Sequence, residues 1–121
     1  KEPLDIELMQ AGCDLLKNAK DFTSFSKLHS DTTNNLCDIQ FAEWSKTDVG
    51  YQFRITANRF LRNMVRAVVG TTMELGMHKI DLGEFQKVID AKDRSAAGFS
   101  VPAHGLYLSN ITYPAEFKLN E

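Results

Sequence analysis

From Tyr51 to Asn58 the chain alternates without exception: Tyr51, Phe53, Ile55 and Ala57 are interleaved with Gln52, Arg54, Thr56 and Asn58. A period of two sends successive side chains to opposite faces, so this run is a strand with one face in a core and the other in water. The period then changes. Leu61, Met64, Val65, Val68, Thr72 and Leu75 fall on one face of a helix read from Arg59 to about Leu75, with Gly76 placed as its C-cap. A half-buried strand that runs straight into an amphipathic helix restricts the chain to a sheet with a helical layer over it.

The neighbouring segments fit that frame. Leu36 to Trp44 alternates through Ile39, Phe41 and Trp44 with an imperfect end, and Thr47-Asp48-Val49-Gly50 between the two runs is hairpin-turn chemistry. Asp5 is placed to cap a helix over Ile6 to Asn18, with Met9, Cys13 and Leu16 inward. Between that helix and the hairpin, KDFTSFSKLHSDTTNN is a polar loop with a helical turn, carrying Phe22 and Phe25. Asp81 and Glu84 have capping-box spacing and open a third helix, whose buried side is Phe85, Val88 and Ile89. Leu106 to Tyr113 reads as a last strand. The order αββααβ predicts an α+β fold, an antiparallel sheet with helices packed on one face, in a single domain spanning residues 1–121.

Composition narrows the function classes. With 43% hydrophobic and 25% charged residues, 121 residues build one core but make a small enzyme. A net charge of −2 argues against nucleic-acid binding by overall charge, so any such contact has to come from a local cluster. Cys13 and Cys37 are isolated, with no CxxC, and read as reduced thiols of a cytoplasmic protein. His29, His78 and His104 are scattered without metal-ligand spacing, so no metal is expected. No apolar run is long enough to span a bilayer. The chain opens on Lys-Glu-Pro rather than Met, which leads us to expect a fragment of a longer protein.

Candidate chemistry is confined to a few places. His29-Ser30-Asp31 holds the residue types of a hydrolase triad, but adjacent side chains diverge and cannot form that relay. Arg59, Arg62 and Arg66 lie at i, i+3 and i+7, one stripe of the expected helix, with Arg54 just upstream. Such a stripe is either a solvated face or a positive patch that contacts phosphate or pairs with a carboxylate. Gly70, one turn beyond Arg66, costs about 1 kcal/mol relative to alanine in mid-helix. It therefore needs a reason, and close approach of another backbone beside Arg66 is one. The loop KDRSAAGFSVPAHG, with Ala96, Ala97, Gly98, Pro102 and Gly105, would let a backbone approach a flat ligand.

Four blocks in order carry a family resemblance: DFTSF (21–25), RFLRNMVRAVVGTTMELG (59–76), KDRSAAG (92–98) and PAHGLYLSNITYP (102–114). Together they resemble the C-terminal half of the TruA family of tRNA pseudouridine synthases, over about residues 4–114. The resemblance implies an isomerase that flips a uridine out of the tRNA anticodon arm, breaks its glycosidic bond and rejoins the ring through carbon. It implies a required aspartate, no cofactor and no metal, and a homodimer with tRNA lying across both subunits. It assigns Arg66, of M-V-R, to pair with that aspartate, and Leu106, of G-L-Y-L, to line the target-base pocket. Arg59 and Arg62 are not fixed by the motif and are expected to contact phosphate.

The family's aspartate belongs to an N-terminal block of the form R-T-D-x-G-V-H-A. Thr47-Asp48-Val49-Gly50 copies four of those letters, but Lys46 stands in place of the arginine and Tyr51-Gln52-Phe53 in place of V-H-A. Asp48 is therefore expected to be a turn residue. The catalytic half is expected to lie upstream of Lys1, leaving this chain inactive alone. The alternative is a non-catalytic RNA-binding or dimerisation module on the same scaffold.

Overall fold

The computed structural model describes residues 3–27, 34–102, 106–108 and 114–120. Strands β1 (Ile39–Thr47) and β2 (Gly50–Ala57) form a hairpin in which Thr47 pairs with Gly50 and Asp48 and Val49 make the turn. Two more strands, β3 (Leu106–Leu108) and β4 (Pro114–Asn120), complete a four-stranded antiparallel sheet in the order β1-β2-β4-β3. Helices α1 (Ile6–Lys17), α2 (Met64–Gly76) and α3 (Leu82–Ala91) supply the second layer. Ala42, Trp44, Phe53 and Ile55 turn one face of the hairpin into the core with Met9, Leu16, Val68 and Phe85, while Glu43 and Arg54 stay outside. This is the α+β arrangement that the alternating strand and its helix require.

Local chemistry explains each boundary. Asp5 accepts the Leu8 amide at 3.1 Å and caps α1, and the Asp81–Glu84 capping box is complete, with both reciprocal bonds formed. Gln10 of α1 covers the edge strand. Its amide donates to the Ala42 carbonyl at 3.1 Å and accepts the Trp44 N–H at 3.0 Å, so the outer rim of β1 is not left to recruit another strand. Across the hairpin Trp44 and Phe53 are register partners whose rings lie 5.2 Å apart, and the Trp44 indole donates to buried Thr72 of α2 at 3.0 Å. That bond locks α2 onto the sheet. The DFTSF block forms a 3-10 turn, Thr23–Phe25, with Phe22 and Phe25 fully buried.

Three expectations need correction. A β-bulge at Ile39/Phe41 inserts a residue, so Ile39 and Trp44 face the core but Phe41 faces out, under the Arg54 guanidinium. Helix α2 begins at Met64, not Arg59, because Asn63 takes a left-handed conformation (φ 68°) that interrupts the winding. Gly76 is the last residue of α2 rather than its cap, and a Cβ there would overlap Met9 of α1. Of the C-terminal strand read from Leu106 to Tyr113, Leu106–Leu108 form β3 and residues 109–113 lie outside the described residues; a further strand that the reading did not include, β4, follows at Pro114–Asn120. Its sequence nevertheless alternates, with Ala115, Phe117 and Leu119 set between Glu116, Lys118 and Asn120. Pro114 opens the strand, a position where its missing N–H is tolerated.

Candidate functional site

The left-handed turn at Asn63 leaves the start of α2 at the floor of a cleft of about 470 Å³, lined by Lys27, residues 60–66 and Ser100. Asn63 makes no side-chain cap to α2, since its amide donates to Ser100 Oγ at 2.7 Å. The uncapped positive end of a 13-residue helix therefore faces the cleft, an attractive setting for an anion. Asparagine is one of the few residues that tolerate this backbone conformation.

Residues 98–101 lie antiparallel along α2 and build the cleft's second wall. The Gly98 N–H donates to Thr71 Oγ1 at 3.0 Å, and a Cβ at Gly70 would overlap the Phe99 carbonyl oxygen. The Val101 N–H donates to the Arg66 carbonyl at 3.1 Å, and Arg66 Nε donates back to the Val101 carbonyl at 2.7 Å. Gly70 thus has the close backbone approach that its position beside Arg66 called for. Arg66 is half-buried in the first turn of α2 with one nitrogen fixed by the loop. Among the described residues no carboxylate forms an ion pair with it.

The three arginines are not a helix stripe, because only Arg66 lies in α2. Arg62 is exposed at the cleft, and its carbonyl accepts the Lys27 N–H at 2.9 Å, bringing a second cation to the same rim. Arg59 points its Nη1 at the Leu36 carbonyl (3.1 Å) and Asn34 Oδ1 (3.2 Å), tying down the segment before β1. Leu106 starts β3, opposite Phe117, and its side chain lies outside the described residues. His29, Ser30, Asp31 and His104 lie outside them too.

Asp48 occupies the opposite end of the hairpin from the α2 start. Eight strand residues separate the two ends of β2, roughly 25 Å at 3.3 Å per residue. Asp48 is exposed, and its turn is held by the Val49 N–H on Thr47 Oγ1 at 3.4 Å. The two cysteines are free and buried; burial pushes the Cys13 thiol up to about 12 and raises that of Cys37 as well, so neither is a thiolate at neutral pH. Among the described residues no group of His, Cys, Asp and Glu could hold a metal, and no helix is long and apolar enough to cross a membrane.

Sequence reasoning missed Asn63, Lys27 and Ser100. Asn63 carried a signal, as asparagine among arginines just ahead of a helix, but its role depends on a serine 37 residues away.

Comparison with known proteins adds the family. The family described as tRNA pseudouridine synthase matches residues 16–114. A tRNA pseudouridine synthase A from Parabacteroides distasonis is 51% identical over 113 residues, covering 93% of this chain and 45% of that protein. Its counterpart from Bacteroides fragilis is 47% identical, with 94% and 46% covered, and that from Bacillus subtilis 39% identical, with 91% and 44% covered. The chain spans about half the length of the curated relatives it matches.

Proposed function

The chain belongs to the tRNA pseudouridine synthase family, and from that premise we propose that it is the C-terminal half of a synthase that isomerises uridine in the tRNA anticodon stem-loop. The observation that carries this reading is Arg66: half-buried at an uncapped helix start, fixed by Val101, and without a carboxylate partner among the described residues. A cation held this way is suited to a carboxylate brought by another segment. An arginine beside it keeps that carboxylate ionised, as a nucleophile must be.

In the reaction the bond from ribose C1′ to N1 of uracil breaks and a bond to C5 forms. The C5 proton leaves to solvent and N1 gains one, so there is no net redox change and no electron carrier is required. The catalytic aspartate comes from the N-terminal half, which this chain does not supply, and Arg66 pairs with it. Leu106 lines the pocket for the flipped base. Arg62 and Lys27, at the mouth of the cleft, contact phosphate and give the local positive charge that the net −2 does not. Arg59 is the weaker phosphate contact, because one of its nitrogens is already spent on Leu36 and Asn34. The complete protein acts in the cytoplasm as a homodimer with tRNA across both subunits.

Tritium release from C5-labelled uridine in tRNA tests the division of labour. The full-length protein should release tritium, and the isolated 121-residue chain should not. Release by the isolated chain would place the nucleophile within it. No release by the full-length protein, with tRNA still bound, would favour a non-catalytic RNA-binding module.

A further inference from the structure

Arg94 lies outside the cleft yet holds the loop that holds Arg66. Its Nη2 donates to Ser100 Oγ at 2.8 Å and its Nη1 to the Gly98 carbonyl at 3.2 Å, so one planar guanidinium grips the loop on both sides of Phe99. Ser100 Oγ also accepts the Asn63 amide at 2.7 Å, tying the same point to the start of α2. The next residue, Val101, exchanges both of its backbone bonds with Arg66.

Arg94 is itself anchored. It opens a 3-10 turn, Arg94–Ala96, capped by Asp93, whose carboxylate accepts Ser95 N at 3.0 Å and Ser95 Oγ at 2.9 Å. The Asp93 N–H donates to Ser24 Oγ, which donates to the Val88 carbonyl of α3. A continuous set of hydrogen bonds therefore runs from α3 through Arg94 and Ser100 to the residue that orients Arg66. The geometry points to Arg94 as a positioning residue: through Gly98 and Ser100 it sets the Val101 carbonyl that aims the Arg66 guanidinium at the reacting carboxylate. This rests on the proposed pairing of Arg66 with that carboxylate. Lysine cannot substitute, because a single ammonium cannot reproduce a two-pronged fork. A displacement of about 1 Å at a reacting group can cost on the order of 10²-fold in rate.

The test uses the full-length enzyme and measures kcat, KM for tRNA and the pH profile of kcat. The variants are Arg94→Ala, Arg94→Lys, Arg66→Ala and the Arg94→Ala/Arg66→Ala double. Arg94→Ala should lower kcat by roughly 10- to 100-fold with KM little changed. It should also move the acid limb of the profile to higher pH, as Arg66→Ala should, because a carboxylate losing its cation ionises later. Arg94→Lys should resemble Arg94→Ala, and the double variant should be no worse than Arg66→Ala alone. A purely structural Arg94 would reduce the active fraction and leave the acid limb in place, overturning the proposal. Multiplying effects in the double variant would overturn it too. If Arg66→Ala leaves kcat and the limb unchanged, the carboxylate pairing itself is wrong, a separate and recognisable failure. Should Arg94→Ala not fold, Ser100→Ala decides: it removes the shared acceptor without touching the turn, and an unmoved acid limb there refutes the positioning role.

Discussion

The hairpin tip and the cleft at the start of α2 are two polar corners of one molecule, at opposite ends of β2. The tip has the letters of a catalytic loop, T-D-x-G, but its aspartate is exposed and lies where a two-residue turn is needed. The cleft has no such signature, yet it holds a half-buried arginine fixed by a second segment, two further cations and an uncapped helix end. Chemistry follows the environment rather than the letters. A side chain is suited to function when its rotamer and charge are set by neighbours, and of these two corners it is the cleft that does this, for Arg66.

Breaking the wall of the cleft should lower both stability and turnover. Gly70→Ala places a methyl group where the Phe99 carbonyl lies, forcing residues 98–101 away from α2. Overpacking of this kind costs about 1–3 kcal/mol. The same shift withdraws the Val101 carbonyl from Arg66, so kcat of the full-length enzyme should fall by ~10²-fold. Thermal unfolding and kcat measured on the same variant check both parts. A variant that melts earlier but turns over normally would uncouple the wall from the site.

Thr72→Val separates stability from activity. It deprives the buried Trp44 indole N–H of the Thr72 hydroxyl and should cost about 1–3 kcal/mol. Turnover per folded molecule should not change, since Thr72 lies beneath the hairpin and not at the cleft. Denaturant titration together with kcat reports the two.

A smaller effect is expected where α1 meets the end of α2. His78 Nε2 lies 2.8 Å from Asp5 Oδ2, and this hydrogen bond, followed by the Leu8 N–H, holds the Asp5 carboxyl below its ordinary value. The folded protein then binds that proton less tightly than the unfolded chain. The resulting stabilisation is complete above the ordinary carboxylate range and is lost as pH falls through the lowered value. His78→Ala should therefore lower Tm slightly at neutral pH, and its curve should converge with that of the parent in acid. Parallel curves at all pH values would detach Asp5 from His78. Smallest of all, Asp48→Asn should leave turnover of the full-length enzyme near the parent value, and a dead variant would reinstate the tip as the active site.

Much of the fold was legible because its signals are local. The strict alternation of β2, the Asp5 cap and the Asp81–Glu84 box depend on residues within a few positions of one another. What could not be read depends on distant partners. The bulge that turns Phe41 outward is set by pairing with β2, and the break at Asn63 is stabilised by Ser100. At the candidate site, Arg66 could be singled out from the sequence and Gly70 was legible as a close approach. The loop that connects them was not, because backbone bonds such as Arg66 to Val101 leave no pattern in side-chain identity.

The central claim is that Arg66 serves a carboxylate rather than a phosphate. Measuring kcat and tRNA affinity of full-length Arg66→Ala in parallel tests it most directly. Loss of an electrostatic partner to a reacting group predicts a kcat lowered by ~10²–10³-fold, with a much smaller change in Kd for tRNA. Equal losses in the two quantities would make Arg66 a phosphate contact and contradict the account.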